Sequence, residues 1–422
     1  MSFNNATKQR LGDIIDIKHG FAFKGEFFSL TETDDLILSP GNFKIGGGFK
    51  VDKFKYYNGK YPKEYILKEN DIIVTMTDLS KEGDTLGYSA KIPFSVKKRY
   101  LHNQRLGLVE FKNDDFDEDY IYWLLRTKDY QSFIVNSATG TTVRHTAPTR
   151  IKEYEFLAPN KTTQTKIANI LSSIDDKIEL NRQTNQTLET VAQTLFKDWF
   201  FKFNYPNAST ETMETKLGFI PNDWEIKSIL EVAEVTDFVA NGSFASLAEN
   251  VTYKSEEDYS ILIRLTDYNR GFNGDFVYVD EKAYKFLSKS ALYGNEIIIA
   301  NVGANAGDVF RTPKLDRPMT LGPNAIMIKP SILSHYLYLY FISKNGQQTI
   351  KNIISGSAQP KFNKTDFRKL KVVIPKSEVI DKFNIIYQSI DDKITTNIQE
   401  TQNLIALRDS LLPKLMKGEI AI

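Results

Sequence analysis

Cysteine is absent from this chain of 422 residues. Its absence excludes disulfides and thiolate metal sites, and it fits a reducing cytoplasm. No apolar run reaches the ~18 residues typical of a membrane-spanning helix, and the N-terminal residues lack the basic-then-apolar pattern of a signal peptide. We therefore expect a cytoplasmic protein that has no membrane-spanning segment.

Histidine and net charge are also low. The four histidines, at positions 19, 102, 145 and 335, are scattered without metal-ligand spacing, so we expect no metal site. Lys and Arg number 54 against 53 Asp and Glu, which leaves a net charge of +1. Any nucleic-acid-binding surface would therefore have to come from local clustering of basic residues.

An internal duplication is the strongest pattern in the sequence. The hexapeptide SIDDKI occurs at Ser173–Ile178 and again at Ser389–Ile394, an offset of 389 − 173 = 216. The same offset holds without a gap from Asp119 to Trp199, which indicates a tandem repeat. Identical residues at this offset include Tyr120/Tyr336, Tyr122/Tyr338, Gln131/Gln347, Gly140/Gly356, Pro159/Pro375 and Leu188/Leu404.

The first part of each repeat is variable and has the pattern of a mixed α+β domain. Short β-branched runs, DIIVTM and EIIIAN, predict strands between Gly-, Asn- and Asp-rich turns. A helical pattern follows (DYIYWLLRTKDYQSFI and HYLYLYFISKNGQQTI), then a loop, then a strand that ends at Pro159 or Pro375. The chain is therefore predicted to hold two such domains of roughly 150 residues each.

The last part of each repeat predicts a long helix with a heptad seam. About 38 residues at ~1.5 Å per residue would span on the order of 57 Å, and Pro413 should end or kink the second helix near its last turn. We expect the two helices to pair antiparallel, with the polar seam residues Asn181 and Asn397 fixing their register near a pseudo-twofold centre. The predicted seam residues are Ile174, Ile178, Asn181, Leu188, Leu195, Ile390, Ile394, Asn397, Leu404 and Leu411.

Several motifs at these places resemble a known family. They are LFKDWFFKFNYPN at the end of the first helix, LGFIPNDWEIKSI opening the second repeat, the terminal LLPKLMKGEI, and the loops GTTVRHTAPTRI and GSAQPKFNKTDF. Together with the duplicated layout, they make the chain resemble the specificity subunit of type I restriction-modification enzymes.

The resemblance implies two target recognition domains, separated by two long antiparallel helices that form a coiled coil. Each domain would read one half of an asymmetric bipartite double-stranded DNA target, and the coiled coil would set the spacer. The implied bounds are 1–159 and 207–375 for the recognition domains, and 160–206 and 376–422 for the first helix with its linker and the second helix. The implied partners are two methyltransferase subunits and two restriction subunits. S-adenosylmethionine, ATP and magnesium would belong to those partners, and this chain would hold no cofactor.

Catalytic signals are missing, as expected for a non-catalytic subunit. The sequence has no Asn/Asp-Pro-Pro-Tyr methyltransferase box and no Gly-x-x-x-x-Gly-Lys-Ser/Thr phosphate loop. The Asp-Asp-Lys run at Asp175–Lys177 is better explained as the flank of a coiled coil than as a nuclease site, because residues two apart on a helix point to different sides. A self-contained nuclease or methyltransferase and a purely structural coiled-coil adaptor are the alternatives.

Candidate DNA-contacting residues are hydrogen-bonding or basic side chains in the predicted loops. The stretch from Lys344 to Lys371 has seven basic residues against one acidic residue, although a merely solvated surface could have the same composition. The candidates are Lys18, Lys24, Thr141, Thr142, Arg144, His145, Asn301, Asn305, Gln359, Lys361, Asn363 and Lys364.

Apolar residues outside the seam predict a surface for partner subunits on the long helices. The candidates are Val191, Phe196, Phe200 and Leu407. Packing of these residues against the chain's own domains is the alternative.

Overall fold

The computed structural model describes residues 6–51, 54–272, 274–420 and 422 of the chain. The chain divides into two compact units. Unit 1 comprises Met1–Gln183 and Asn397–Ile422, and unit 2 comprises Thr184–Thr396. The long helices run from Lys161 to Phe200 and from Ser377 to Met416, so each of them contributes residues to both units.

Unit 1 contains two larger sheets and two short strand pairs. The five-stranded sheet has the order Phe28–Ser29, Lys55–Tyr57, Asp35–Ile37, Arg99–Leu101 and Ile66–Leu67. The four-stranded antiparallel sheet has the order Ile15–His19, Leu106–Phe111, Ile72–Thr75 and Ser89–Lys91. The short pairs join Thr7–Arg10 to Glu155–Ala158 and Thr77–Asp78 to Arg144–His145. The strand expected in DIIVTM is confirmed, and all four of its residues are buried.

The shorter helices of unit 1 cover these sheets. The α-helices are Leu11–Ile14, Glu118–Leu124, Lys128–Asn136 and Pro148–Lys152, and the 3-10 turns are Gly25–Phe27, Pro40–Asn42 and Lys63–Tyr65. The segment predicted as one helical pattern is in fact two helices. The chain turns after Leu124, and the Thr127 hydroxyl accepts a hydrogen bond from the backbone N–H of Tyr130, which starts a new helix.

Unit 2 has a similar arrangement. One four-stranded antiparallel sheet has the order Val235–Asp237, Ala325–Ile328, Ile297–Ala300 and Val309–Arg311. The other has the order Val277–Val279, Ser260–Ile263, Met319–Leu321 and Ala291–Leu292. The short pairs join Thr212–Thr215 to Gly218–Pro221 and Glu225–Ser228 to Lys371–Ile374.

The shorter helices of unit 2 repeat the break seen in unit 1. The α-helices are Ile229–Val232, Phe244–Asn250, Leu265–Asn269, Glu281–Phe286, Ser334–Ile342, Lys344–Lys351 and Lys364–Lys369, and the 3-10 turns are Phe238–Asn241 and Ser288–Ser290. Ser343 caps the helix that begins at Lys344, just as Thr127 caps its counterpart. A parallel strand pair also recurs in both units: Asp35–Ile37 with Arg99–Leu101, and Ser260–Ile263 with Met319–Leu321.

The two long helices pair antiparallel within each unit. In unit 1 the Asn181 amide donates to Glu400 at 2.9 Å, and Lys177 pairs with the same carboxylate at 3.1 Å. In unit 2 the Asn185 amide donates to the carbonyl of Ile394 at 3.3 Å. As the residue number rises along the first helix, from Asn181 to Asn185, the number of the contacted residue on the second helix falls, from Glu400 to Ile394. The predicted antiparallel coiled coil is therefore confirmed.

Side-chain burial follows the predicted seam. Ile174, Asn181 and Asn397 are buried, and the other predicted seam residues are half-buried. Each helix has 40 residues, close to the length expected from the heptad pattern. The second helix continues through Pro413 to Met416, and it ends where Gly418 adopts a φ of +67°, the left-handed conformation common just after a helix.

Phe196 and Phe200 lie in the core of unit 2, at 2% and 5% exposure. The ring of Phe200 lies 4.9 Å from both Tyr336 and Phe383, between the recognition domain and the second long helix. The prediction that these two phenylalanines form a partner-binding surface is therefore wrong. The heptad pattern describes only helix-to-helix packing and could not show that the domain covers another side of the same helix.

Among the described residues, no helix is both long and apolar enough to cross a membrane.

Candidate nucleic-acid interface

Two loops that are distant in sequence meet in unit 1. We call residues 76–87 and 137–146 the first loop pair. The short strands Thr77–Asp78 and Arg144–His145 join the two loops, with Thr77 opposite His145. A further bridge between Thr139 and His145 closes the second loop on itself. These contacts bring the loop GTTVRHTAPTRI beside a loop that sequence analysis had not singled out.

Asp78 organises the first of these loops. Its carboxylate accepts hydrogen bonds from the backbone N–H groups of Ser80 (2.7 Å) and Thr85 (2.6 Å) and from the Thr85 hydroxyl (2.7 Å). Burial opposes ionisation of Asp78, but these hydrogen bonds outweigh it and lower the pKa below its ordinary value. Asp78 therefore stays charged and holds the loop around its own carboxylate.

The predicted residues of the first loop pair differ in how free their side chains are. Thr141, Thr142 and His145 are exposed, and the His145 Nδ1 lies 3.2 Å from the Thr77 hydroxyl. Arg144 is engaged within the loops, because its Nε donates to the carbonyl of Lys81 at 2.6 Å. Arg144 thus supports the loops as well as adding positive charge to them.

Lys18 and Lys24 lie elsewhere in unit 1. Lys18 is on the strand Ile15–His19, with its ammonium 5.7 Å from the centre of the Tyr65 ring. Lys24 is exposed and precedes the turn Gly25–Phe27. Among the described residues, neither lysine forms a hydrogen bond or ion pair with the first loop pair.

Unit 2 brings two loops together in the same way. We call residues 301–308 and 353–364 the second loop pair. Lys361 forms bridges with both Val302 and Ser355. At the repeat offset of 216, Ser355 and Lys361 correspond to Thr139 and His145, which form the equivalent bridge in unit 1. The backbone N–H of Gly303 also donates to the carbonyl of Pro360 at 2.9 Å.

Equivalent glutamines hold one loop in each pair. The Gln131 amide donates to the carbonyl of Gly83 at 3.0 Å, and the Gln347 amide donates to the carbonyl of Gly307 at 3.0 Å. Sequence analysis paired the two glutamines in the repeat register but assigned them no role. Their identity in otherwise diverged domains was the available signal.

Four predicted residues of the second loop pair are exposed: Asn305, Gln359, Lys361 and Asn363. The Asn301 amide instead donates to the carbonyl of Phe362 at 3.2 Å, which ties the two loops together.

Asn363 and Lys364 also form contacts within unit 2, and their role as DNA contacts stays a prediction. The side-chain oxygen of Asn363 accepts a hydrogen bond from the backbone N–H of Asp366 at 2.8 Å, and its side-chain nitrogen donates to the Asp366 carboxylate. It is the N-cap of the helix Lys364–Lys369. The Lys364 ammonium pairs with the buried Asp237 at 2.8 Å.

The basic stretch of unit 2 is only partly available. Arg368 donates to the carbonyl of Val235, and Lys369 and Lys371 pair with Asp366 and Glu231. Three exposed lysines of the stretch form no ion pair among the described residues: Lys344, Lys351 and Lys361. The local excess of positive charge is therefore smaller than the sequence predicts, because Asp237 and Glu231, which lie far from the stretch in sequence, pair with Lys364 and Lys371.

No group of three or more histidine, aspartate or glutamate side chains is placed to hold a metal ion, as far as the described ranges extend. The contacts described above show that the two loop pairs present hydrogen-bonding and basic groups on two similar scaffolds.

The family comparison agrees with this duplicated arrangement. The family described as the type I restriction modification DNA specificity domain matches the chain twice, over residues 5–190 and 221–406. The chain belongs to this family. It is a non-catalytic specificity subunit with two target recognition domains, and the alternatives of a self-contained enzyme or a structural adaptor are not supported.

Similar curated proteins are specificity subunits. The MjaIX specificity subunit of Methanocaldococcus jannaschii is 27% identical over 315 residues, covering 73% of this chain and 70% of that protein. The HindI specificity subunit of Haemophilus influenzae is 26% identical over 387 residues, covering 76% and 81%. A crystal structure of the type I S subunit from M. genitalium shares the fold, with a TM-score of 0.56 at 18% identity and 98% coverage of both chains.

Proposed function

We propose that this specificity subunit reads an asymmetric bipartite DNA target, one half with each loop pair. The observation that carries the proposal is the shared construction of the two loop pairs. Equivalent bridges, at Thr139–His145 and Ser355–Lys361, hold loops whose exposed residues differ between the units. A common scaffold with different exposed groups suits two readers of different base sequences.

The exposed residues have suitable chemistry for base edges and phosphates. Asn305 and Gln359 carry amides that can donate and accept at once, the arrangement that matches an adenine edge. Thr141, Thr142 and His145 supply hydroxyl and imidazole groups in the first loop pair. The cationic groups would contact phosphate oxygens. Such contacts position the protein on the DNA but do not distinguish base sequences.

Equivalent apolar residues on the long helices support two partner-docking sites. Val191 and Leu407 are separated by 407 − 191 = 216, the repeat offset, and are 48% and 46% exposed. One such residue in each unit suits two copies of the same partner. We assign these sites to two methyltransferase subunits, with two restriction subunits joining the assembled complex in the cytoplasm. The cofactors of methylation and cleavage would be held by those partners.

We assign DNA recognition to the domains 1–159 and 207–375. The segments 160–206 and 376–422 would set the spacer between the half-sites. An α-helix of 40 residues is about 60 Å long, longer than the ~34–36 Å of one turn of DNA, so the helices are long enough for that role.

The test is DNA binding by the full chain assembled with a methyltransferase subunit. Sequencing of methylated bases in cells that express both proteins would identify the target used as the probe. We expect a split motif and tight, salt-sensitive binding to it. Methyl transfer by the purified chain alone, or a single uninterrupted motif, would contradict the proposal.

Variants in the second loop pair should affect one half-site only. Asn305→Ala or Gln359→Ala should relax base preference in the half-site read by unit 2 and leave the other half unchanged, at about 1–3 kcal/mol per lost bidentate contact. Lys361→Gln should reduce the magnitude of the slope of log K for DNA binding against log salt concentration by about one. Lys369→Gln is the matched control, because this lysine lies outside the loops and pairs with Asp366. Equal effects of the two lysine substitutions would argue against the loops as the DNA contact.

A further inference from the structure

We propose that a buried arginine, delivered from a different part of the fold in each unit, fixes each recognition domain to its long helix and so keeps the spacer between half-sites strict. The arginine binds the first aspartate of SIDDKI, Asp175 in unit 1 and Asp391 in unit 2. We call each arginine, aspartate and contacting tyrosine an anchor cluster. The effect on DNA spacing rests on the proposed function, whereas the fixing of domain to helix does not.

In unit 1 the anchor cluster centres on Arg126, whose side chain is only 2% exposed. Its Nη1 donates to Asp175 at 2.5 Å and to the Tyr122 hydroxyl at 2.8 Å. The guanidinium lies 4.3 Å from the centre of the Trp123 ring. Arg408 of the second long helix donates to the other oxygen of Asp175 at 2.6 Å, so one carboxylate joins the domain to both helices.

Two glycines of the recognition domain lie against the Arg126 side chain. The Arg126 Nε donates to the carbonyl of Gly46 at 3.1 Å. Gly47 has φ +86°, and a Cβ at that position would lie 2.6 Å from the Cγ of Arg126. The Arg126 Nε and Nη1 together donate to three groups, Gly46, Tyr122 and Asp175, which a single lysine ammonium could not reach in the same geometry.

In unit 2 the anchor cluster centres on Arg311. Its Nη1 donates to Asp391 at 2.8 Å, and its Nη2 donates to the Tyr387 hydroxyl at 2.8 Å. The guanidinium lies 4.2 Å from the centre of the Tyr338 ring, and His335 lies 3.3 Å from Nη2. The side chains of Arg311 and Asp391 are 13% and 19% exposed.

The two clusters match in position but not in the origin of their arginine. Asp175 and Asp391 are equivalent at the offset of 216, and so are Tyr122 and Tyr338. Arg126 follows the helix Glu118–Leu124, whereas Arg311 ends the strand Val309–Arg311. Simple descent from one duplicated arginine does not explain this. Each domain supplies its own arginine to the same pair of partners, which suggests that the contact itself is required.

The physical chemistry favours a fixed geometry over added stability. A buried ion pair contributes little net free energy of folding, but a buried arginine without its carboxylate is strongly unfavourable. Burial opposes ionisation of Asp175, yet the positive charges of Arg126 and Arg408 and their hydrogen bonds lower its pKa. The planar guanidinium also restricts direction. Displacing the domain along or around its helix would therefore break these bonds at once.

The second aspartate of each hexapeptide provides a matched control. Asp176 and Asp392 differ from Asp175 and Asp391 by one position on the same helix, and both are exposed. Asp391→Asn removes the charge at the anchor cluster, whereas Asp392→Asn removes the same charge from the exposed face.

Spin labels can measure the fixing of domain to helix in the full chain. Because the chain has no cysteine, labels can be placed at Lys282→Cys on the recognition domain of unit 2 and at Thr395→Cys on its long helix. We expect Asp391→Asn to broaden this distance distribution, with the population of displaced arrangements rising on the order of tenfold. Arg311→Lys should do the same, because a lysine cannot reach both Asp391 and Tyr387 in the same geometry.

Two controls distinguish release of the recognition domain from its long helix from unfolding of the domain itself. A label pair within the domain, Lys282→Cys with Lys314→Cys, should keep its distribution in every variant. Asp392→Asn should leave both label pairs unchanged. An unchanged distribution in Asp391→Asn, equal broadening in Asp392→Asn, or broadening of the pair within the domain would each overturn the proposal.

The DNA consequence is measured in the complex with a methyltransferase subunit. Targets with the natural spacer and with one base pair added or removed are compared. We expect Asp391→Asn to lower the preference for the natural spacer about tenfold while the base preference of each half-site is retained. Absence of methylation in the unsubstituted complex would reject the proposed function and leave the label result standing. An unchanged spacer preference beside a broadened label distribution would reject only the link between the two.

Discussion

Phe196→Ala tests whether the end of the first long helix is domain core or partner surface. The ring of Phe196 is 2% exposed and lies 5.0, 5.5 and 6.0 Å from the rings of Phe200, Tyr336 and Phe383. Truncation removes the apolar area of the ring and leaves a cavity between helix and domain. The expected loss is about 3–5 kcal/mol in the free energy of unfolding.

The loss should be visible in urea unfolding. With a slope of about 1–3 kcal/mol per molar, the midpoint for unit 2 should fall by roughly 1–5 M. Trp199 and Trp224 lie in the core of unit 2 and Trp123 in that of unit 1, so a two-phase fluorescence transition with only one phase shifted would locate the effect. Circular dichroism checks that the change is global within the unit.

Val191→Ala on the same helix is the control. Val191 is exposed, so the free energy of unfolding should change by less than about 0.5 kcal/mol. Val191→Asp should instead reduce co-purification with the methyltransferase subunit, and Gln193→Asp, at an exposed polar position, should not. If Phe196→Ala keeps its midpoint and loses the partner, the assignment of Phe196 to the core is refuted.

Three other variants have distinct expected outcomes. Asn181→Leu combined with Asn397→Leu should raise the melting temperature while loosening helix register, since both amides are buried and a polar seam residue fixes register at a cost in stability; a clear loss of stability in thermal unfolding would count against this. Burial lowers the pKa of His102 to about 4 from 6.5, so the unfolded chain binds more protons between these values. Stability should therefore fall by about 1.4 kcal/mol per unit as pH drops through this window, and His102→Gln should lose that part of the slope in urea titrations at several pH values. Gly47→Ala should lower the free energy of unfolding of unit 1 by more than about 1 kcal/mol in urea titration, because its φ is +86° and its Cβ would meet the Arg126 side chain; wild-type stability would show that the turn can shift freely.

Local pattern in the sequence was sufficient for the long helices and several strands. Seam positions such as Ile174, Ile178 and Leu188 recur at steps of three and four residues, and that period permits only one helical face. The strand Ile72–Thr75 and its counterpart Ile297–Ala300 followed from short β-branched runs between turns. In these elements local propensity and burial agree, so the pattern leaves no competing structure.

Local pattern was less informative for side-chain roles. Phe196 and Phe200 looked available because the heptad seam covers only one side of a helix, and nothing in the sequence shows that the recognition domain covers another. Lys364 looked free because its partner, Asp237, is 127 residues away. Such contacts depend on which distant segments meet, and a linear charge count cannot include them.

The sequence by itself determined the duplication, the heptad seam with its two central asparagines, and the family to which the chain is similar. These depend on residue identity and spacing along one stretch of chain. Only the tertiary structure decided which loops meet, which lysines remain unpaired on the surface, and that Arg126 and Arg311 reach the same aspartate of the repeat from different elements. The physical reason is that a carboxylate can accept hydrogen bonds from a guanidinium that any neighbouring segment of the fold supplies. Such a contact is therefore fixed in space, while its position along the sequence is free to differ.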